Sequence, residues 1–228
     1  MKNVAILAAG QFPRKEYPRY LLDSADVIVC CDGALQIAEK HGIVPDVVIG
    51  DLDSVCGRAL GRFTSGTMEG ERRDKSMRVA IKDEDQDTND LTKAFDYVMK
   101  NFAGRPGPDL SVSILGATGK SEAHTIGNVS LLMEYARRYD LDGIDVQMVS
   151  DYSTIFALRD SQRLHVGAGR KVSVFSADPT LCIKSEGLQW PLDSVVFDNW
   201  WKATLNRASD DVIALTFSHP GPVVVILD

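Results

Sequence analysis

Val47-Val48-Ile49-Gly50-Asp51-Leu52-Asp53-Ser54 is a β-branched run that stops at a glycine and turns acidic. An apolar run this short reads as a strand buried on both faces, as in a parallel sheet. In open α/β sheets ligands bind beyond the carboxyl ends of the strands. Two aspartates one residue apart at such an end are placed to share a hard cation, with Gly50 allowing a tight turn and Ser54 capping the next helix. Working outward from this stretch, the same rhythm recurs up to about residue 150. Apolar runs at 4–9, 27–31, 77–81, 112–115 and 144–149 alternate with helical stretches at 34–41, 91–102 and 126–139. Leu91, Ala94, Phe95, Val98, Met99 and Phe102 fall on one helical face. The alternation predicts a three-layer α/β/α domain with a mostly parallel sheet over residues 1–150.

Beyond Asp151 the pattern changes. Short runs at 153–158, 171–175, 181–183, 212–217 and 223–227 are separated by Gly, Pro, Asp and Asn, with no long helical period. This predicts a smaller antiparallel β-sandwich domain over residues 151–228.

Composition narrows the partners. The chain of 228 residues is 44% hydrophobic and 25% charged, the profile of a soluble globular protein. No apolar run approaches the roughly 18 residues of a membrane span, so no membrane partner is expected. A net charge of -7 argues against a nucleic-acid partner, since a phosphate backbone wants a basic face. An acidic protein still binds phosphates where metal ions intervene. The apolar start at residues 4–9 lacks a leader's cleavage site and reads as a buried first strand. Cys30, Cys31, Cys56 and Cys182 show no metal-ligand spacing and read as small core residues in a reducing compartment, the cytoplasm.

A second acidic stretch, Lys82-Asp83-Glu84-Asp85-Gln86-Asp87-Thr88-Asn89-Asp90, follows the 77–81 run and opens a helix. Acidic residues favour helix N-termini, but five carboxylates exceed what capping needs, and a cation relieves their repulsion. Asp85, Asp87 and Asp90 reach the neighbourhood of Asp51 and Asp53 if the two strands are adjacent. Mg²⁺ suits such a set, because it takes one or two carboxylates, waters and a substrate phosphate. Asp32-Gly33-Ala34 places a further carboxylate at the end of the 27–31 strand. Ile114-Leu115-Gly116-Ala117-Thr118-Gly119-Lys120-Ser121 ends like a P-loop, but that motif needs glycine where Ile114 stands. The loop offers glycine amides and Lys120 to a phosphate without wrapping a triphosphate. His124 is either a functional contact or a histidine satisfied at a helix start. Trp190, between Gly187 and Pro191 on either side, is placed to show its face to a flat cationic ring.

These segments together resemble the thiamine pyrophosphokinase family. The resemblance runs through Asp32-Gly33-Ala34, Pro45-Asp46, Gly50-Asp51-Leu52-Asp53-Ser54, and Asp85-Gln86-Asp87-Thr88-Asn89-Asp90 with Lys93. It continues in Gly116-Ala117-Thr118-Gly119 with His124 and in Glu186-Gly187-Leu188-Gln189-Trp190-Pro191-Leu192. It implies a nucleotide-binding α/β domain, a thiamine-binding β-sandwich, and a homodimer with active sites between subunits. The implied reaction moves a diphosphate group from ATP to the thiamine hydroxyl, giving thiamine diphosphate and AMP. By the same resemblance Asp51, Asp53, Asp87 and Asp90 are catalytic, and Asp51, Asp53 and Asp90 bind Mg²⁺. ATP is held by Asp32, Asp46, Ser54, Gly116, Thr118, Gly119, Lys120 and His124. Thiamine meets Gln86, Leu188, Trp190 and Asn206.

The chain also departs from the family pattern. Lys120-Ser121-Glu122-Ala123-His124 stands where the family carries Gly-Arg-x-Asp-His, and a lysine is not a forked guanidinium. Leu205-Asn206 replaces a Ser-Asn pair, and Asn89 replaces a threonine. Two other functions share the same residues: a metal-dependent phosphohydrolase, and a sensor that binds nucleotide or thiamine diphosphate without turnover. Product identity separates all three.

Overall fold

The computed structural model of the chain describes residues 1–53, 55, 57–68, 78–83, 85, 87–104 and 109–228. Its elements begin β1 (Lys2–Leu7), α1 (Glu16–Asp23), β2 (Val27–Cys31), α2 (Leu35–Lys40), β3 (Val47–Gly50) and α3 (Gly57–Ser65). They continue β4 (Val79–Lys82), α4 (Asp90–Phe102), β5 (Leu110–Leu115), α5 (Glu122–Arg138) and β6 (Ile144–Val149). The remainder is β7 (Thr154–Leu158), β8 (Gln162–His165), β9 (Lys171–Ser176), β10 (Ile183–Glu186), β11 (Asn206–Arg207), β12 (Val212–Phe217) and β13 (Val223–Leu227). The chain forms two compact units, residues 1–128 with 142–151, and residues 129–141 with 152–228.

In the first unit the strand order is β6-β5-β1-β2-β3-β4, with every neighbouring pair parallel. The chain steps from β1 out to β4 and then returns to the other side of β1. The strand order therefore reverses between β1 and β5, the kind of place where α/β sheets bind ligands. Both faces of the sheet are covered. Ala5, Leu7, Cys30 and Val48 pack with Leu22 of α1, Leu35 and Ala38 of α2 and Phe63 of α3. Side chains alternate along a strand, so Ile6, Val29 and Ile49, also buried, face the other side, where α4 crosses β1, β2 and β3. The predicted face of α4 is the buried one: Leu91, Ala94, Phe95, Val98 and Met99 are all inside.

The second unit is an antiparallel sandwich. One sheet runs β11-β9-β13-β7 and the other β10-β12-β8. Val172, Val174, Val223, Val225 and Leu227 from one sheet share a core with Ile183, Ile213, Leu215 and Phe217 from the other.

Boundaries shift for local reasons. The helix expected at 126–139 starts at Glu122, because the Ser121 hydroxyl accepts the His124 N–H and caps it early. The run 181–183 is not the strand: Leu181 closes a turn onto the Asp178 carbonyl and drops into the core, and β10 starts at Ile183. The run 77–81 appears as an edge strand from Val79 to Lys82, half-exposed along its length, and Met77 lies outside the described residues.

Candidate active site

The carboxyl ends of β2 and β3 and the first turn of α4 bring three aspartates together. Asp32, directly after β2, is fully buried. Its Oδ1 accepts the Gly33 N–H and its Oδ2 accepts the Leu52 N–H at 2.8 Å. A side chain at Gly50 would run into this carboxylate, with Asp32 Oδ2 only 2.5 Å from the added carbon. Glycine is therefore what lets the end of β3 lie against Asp32. The Leu52 backbone adopts φ 65°, a left-handed conformation that costs a non-glycine residue about 1–2 kcal/mol. Asp32 thus works as the anchor of the turn that presents Asp51.

Asp51 Oδ1 accepts the Asp53 N–H at 3.0 Å. That bond holds the Asp51 carboxyl below its ordinary range against the effect of burial, helped by a hydrogen bond with Asp32 and by the charges of Lys93 and Lys82. Asp90 opens α4, where Asn89 is the N-cap and accepts the Thr92 N–H at 2.8 Å. A carboxylate there should be stabilised by the helix dipole. Burial instead pushes Asp90 up to about 6, reinforced by Asp32 and Asp51 and opposed by Lys93. Burial, with the negative charge crowded around it, outweighs the dipole. Lys93 is buried one turn further along α4, and its Nζ donates to the Asp83 carbonyl at 2.8 Å. Asp85 and Asp87 are exposed: Asp85 Oδ1 accepts the Asp87 N–H and its Oδ2 accepts the Thr88 hydroxyl, both at 2.9 Å.

A second feature of this edge is formed by the loops after β1 and β5. The Gly10 N–H donates to the Gly116 carbonyl at 2.6 Å and the Gln11 N–H to the Thr118 carbonyl at 2.8 Å. Any side chain on Gly10 would collide with the carbonyls of Gly116 and Thr118. Lys120 Nζ donates to the Ala9 carbonyl at 3.1 Å, and Asn128 Nδ2 to the Ala117 carbonyl at 2.7 Å. Asp151 Oδ1 accepts the N–H groups of both Arg14 and Lys15, holding the far end of the β1 loop. Gly119, Lys120 and His124 are exposed.

In the second unit, Trp190, Pro191, Leu192, Val195, Lys202, Ala203, Thr204, Leu205 and Asn206 line a cavity of about 330 Å³. Trp190 is 55% exposed at its wall, whereas Asn206 is buried. Polar and apolar surface contribute almost equally to its lining, with Lys202, Thr204 and Asn206 set among the apolar side chains.

Comparison with known proteins identifies the family. The thiamin pyrophosphokinase catalytic-domain model matches residues 18–142, and the substrate-binding-domain model matches residues 154–223. The chain belongs to the thiamin pyrophosphokinase family. Thiamine pyrophosphokinase 1 of Oryza sativa subsp. japonica is 28% identical over 201 residues, covering 78% of this chain and 70% of the rice protein. The thiamine pyrophosphokinase from Bacillus subtilis superimposes with a TM-score of 0.74 at 17% identity, covering 100% of this chain and 99% of its own. Yeast thiamin pyrophosphokinase gives 0.73 at 15% identity, covering 100% and 87%. At these identities the structural likeness shows the shared fold, and the domain matches make the chain an enzyme of the kinase class.

Within this thiamin pyrophosphokinase scaffold the expected residues are distributed unevenly. Asp32, Asp51 and Asp90 converge, with Asp53 exposed on the same turn. Gly116, Thr118, Gly119 and Lys120 form the adjoining loop. Asp46 does not join them: it precedes β3, at the opposite edge of the sheet, where its Oδ2 accepts the Ile28 N–H at 2.8 Å. Its carboxylate ties β2 to β3, away from the three converging aspartates. Leu188 is likewise in the core of the second unit, bridged to Ala208, rather than at the cavity wall. Ser54 and Gln86 lie outside the described residues. The sequence pattern assigns no role to Lys93 or to the Gly10-Gln11 turn. Lys93 had a signal, a lysine three residues after Asp90 on one helical face; the turn had none, because its partner lies more than 100 residues away.

Proposed function

We propose that the protein transfers a diphosphate group from ATP to the hydroxyl of thiamine, releasing AMP. The observation that carries this reading is the convergence of Asp32, Asp51 and Asp90 at the carboxyl edge of the sheet, with Asp90 raised to about 6. Three carboxylates against one buried lysine leave negative charge that a cation relieves, and hard oxygen donors suit Mg²⁺. Among the described residues no ready-made cage of three or more acidic, histidine or cysteine ligands is present. Mg²⁺ bound with few protein ligands and several phosphate or water oxygens does not need one.

Asp51, Asp53 and Asp90 hold the cation in this reading, and Asp32 fixes the turn from which Asp51 projects. Bound Mg²⁺ supplies neutralisation of the charge on the transferring diphosphate. Asp87 belongs to the same catalytic edge. The Gly116–Gly119 loop, Lys120 and His124 receive the nucleotide. Trp190 stacks on an aromatic ring of thiamine, with Gln86 as a further contact. The thiamine oxygen bonds to the β-phosphorus and loses its proton, while the bond from that phosphorus to the α,β-bridging oxygen breaks and AMP leaves. Catalysis by positioning and electrostatics needs no protein nucleophile.

Residues 1–150 serve as the nucleotide- and Mg²⁺-binding domain and residues 151–228 as the thiamine-binding domain. The protein acts as a homodimer with active sites between subunits. Buried free thiols at Cys30 and Cys31 support a cytoplasmic setting, and no described helix is long and apolar enough to cross a membrane.

The test is a mass-resolved product assay with ATP, Mg²⁺ and thiamine, together with a control lacking thiamine. AMP and thiamine diphosphate should appear one for one, only with thiamine, and EDTA should abolish both. ADP with thiamine monophosphate would overturn attack at the β-phosphorus. Phosphate released without thiamine would favour the hydrolase, and saturable binding without turnover the sensor.

A further inference from the structure

The backbone around Trp190 is held by a side chain. Residues 187–190 lie alongside residues 206–209 like a short antiparallel ladder: Ser209 N–H to Gly187 O at 2.8 Å, Gln189 N–H to Arg207 O at 2.8 Å, and a bridge between Leu188 and Ala208. At Trp190 the opposing strand has already turned away. Leu205 adopts φ 55° and its N–H donates to the Ser173 hydroxyl at 2.9 Å. The side-chain amide of Asn206 takes the place of the missing peptide unit. Its Oδ1 accepts the Trp190 N–H at 3.1 Å, and its Nδ2 donates to the Trp190 carbonyl at 2.6 Å.

We propose that Asn206 is a positioning residue for Trp190, setting the indole as a preformed platform rather than binding the substrate itself. This rests on the reading of Trp190 as the thiamine-stacking residue. Asn206 is 4% exposed, and its Oδ1 also accepts the Arg207 N–H at 2.8 Å, so both lone pairs of that oxygen are committed within the protein. Pro191 restricts Trp190 from the other side, since a residue before proline is pushed to extended conformations. The indole, more than half exposed, thus stands on a backbone fixed before any ligand arrives, which lowers the ordering cost of binding. The bidentate pattern also explains the residue type. Alanine reaches neither group, and aspartate cannot donate to the Trp190 carbonyl.

The experiment is a double-mutant cycle of Asn206→Asp and Trp190→Ala, reading KM for thiamine and for ATP separately, with urea midpoints as a check on folding. Asn206→Asp keeps the shape but sets an acceptor against the Trp190 carbonyl. It should raise the thiamine KM about tenfold, with a smaller change in kcat and none in the ATP KM. In the Trp190→Ala background the same substitution should change the thiamine KM less than about twofold, because its effect acts through the indole. An equal factor in both backgrounds would mean that Asn206 touches thiamine directly and would overturn the proposal, as would an unchanged thiamine KM in the single variant. If Trp190→Ala alone leaves the thiamine KM unchanged, the stacking role of Trp190 fails first, a result distinct from additivity. Asn206→Ser, whose hydroxyl is too short to span both groups, serves the same cycle should the aspartate variant not fold.

Discussion

Asp90 is where local preference and site chemistry disagree. Its place at the first position of α4 favours a charged carboxylate, yet burial, reinforced by Asp32 and Asp51, favours the proton, and burial wins. With the folded pKa raised from 3.8 to about 6, the carboxyl is neutral in both folded and unfolded chains below about pH 4 and carries no penalty there. As pH rises from 4 through 6 the unfolded chain releases its proton first, so stability falls, and above 6 the full penalty remains. Asp90→Asn removes it. In EDTA the variant should match the parent at pH 4 and exceed it at pH 7 by about 1 kcal/mol, after discounting for partial exposure. Activity should fall by at least about two orders of magnitude. Thermal midpoints across pH 4–8 check the first expectation, and equal midpoints at pH 7 would show that a charged Asp90 carries no stability penalty. The chemistry of Asp51 and Asp53 is legible in the sequence because a strand ending in Gly-Asp-x-Asp is a local pattern. The anchoring role of Asp32 is not, since its partner Leu52 is 20 residues away and meets it only when β2 and β3 pair. Asp46 shows the converse: a carboxylate close to the motif in sequence lies at the other end of the strand.

Among the elements, legibility follows the width of the buried stripe. α4 declares itself because one face is apolar over thirteen residues. α1, eight residues with Pro18 in its first turn, and β8, whose Gln162-Arg163-Leu164-His165 turns only Leu164 toward the core, offer no such run. The contact between the β1 and β5 loops was equally hidden, and it changes what Lys120 does. In sequence Lys120 looks like a replacement cation for a phosphate; in the fold its ammonium also ties the β5 loop to the Ala9 carbonyl. In the proposed function both roles act on the nucleotide side. Lys120→Ala should therefore raise the ATP KM about tenfold while leaving the thiamine KM within experimental error. Separate saturation curves for the two substrates check this, and an increase confined to thiamine would detach the loop from the nucleotide.

At the scale of the whole molecule, the two units carry different halves of the proposed chemistry: carboxylates and the glycine loop in the first, the tryptophan-walled cavity in the second. The second unit also leaves Trp201 at 69%, Leu205 at 59% and Val196 at 52% exposed within a short stretch, more large apolar surface than a solitary sandwich needs. The proposed homodimer would cover that surface, and its symmetry makes a quantitative expectation. If each active site takes its aspartates from one subunit and its tryptophan from the other, a mixed dimer of Asp51→Asn and Trp190→Ala chains contains one doubly damaged site and one intact site. Random reassortment puts half of the dimers in the mixed form, so about a quarter of all sites are restored. Two variants that are each nearly inactive at low thiamine should then recover about a quarter of the parent activity after mixing, unfolding and refolding together. Sites built within single chains would leave every site carrying one defect, and mixing would restore nothing. The size of the recovered fraction therefore distinguishes the two arrangements without any structure of the dimer.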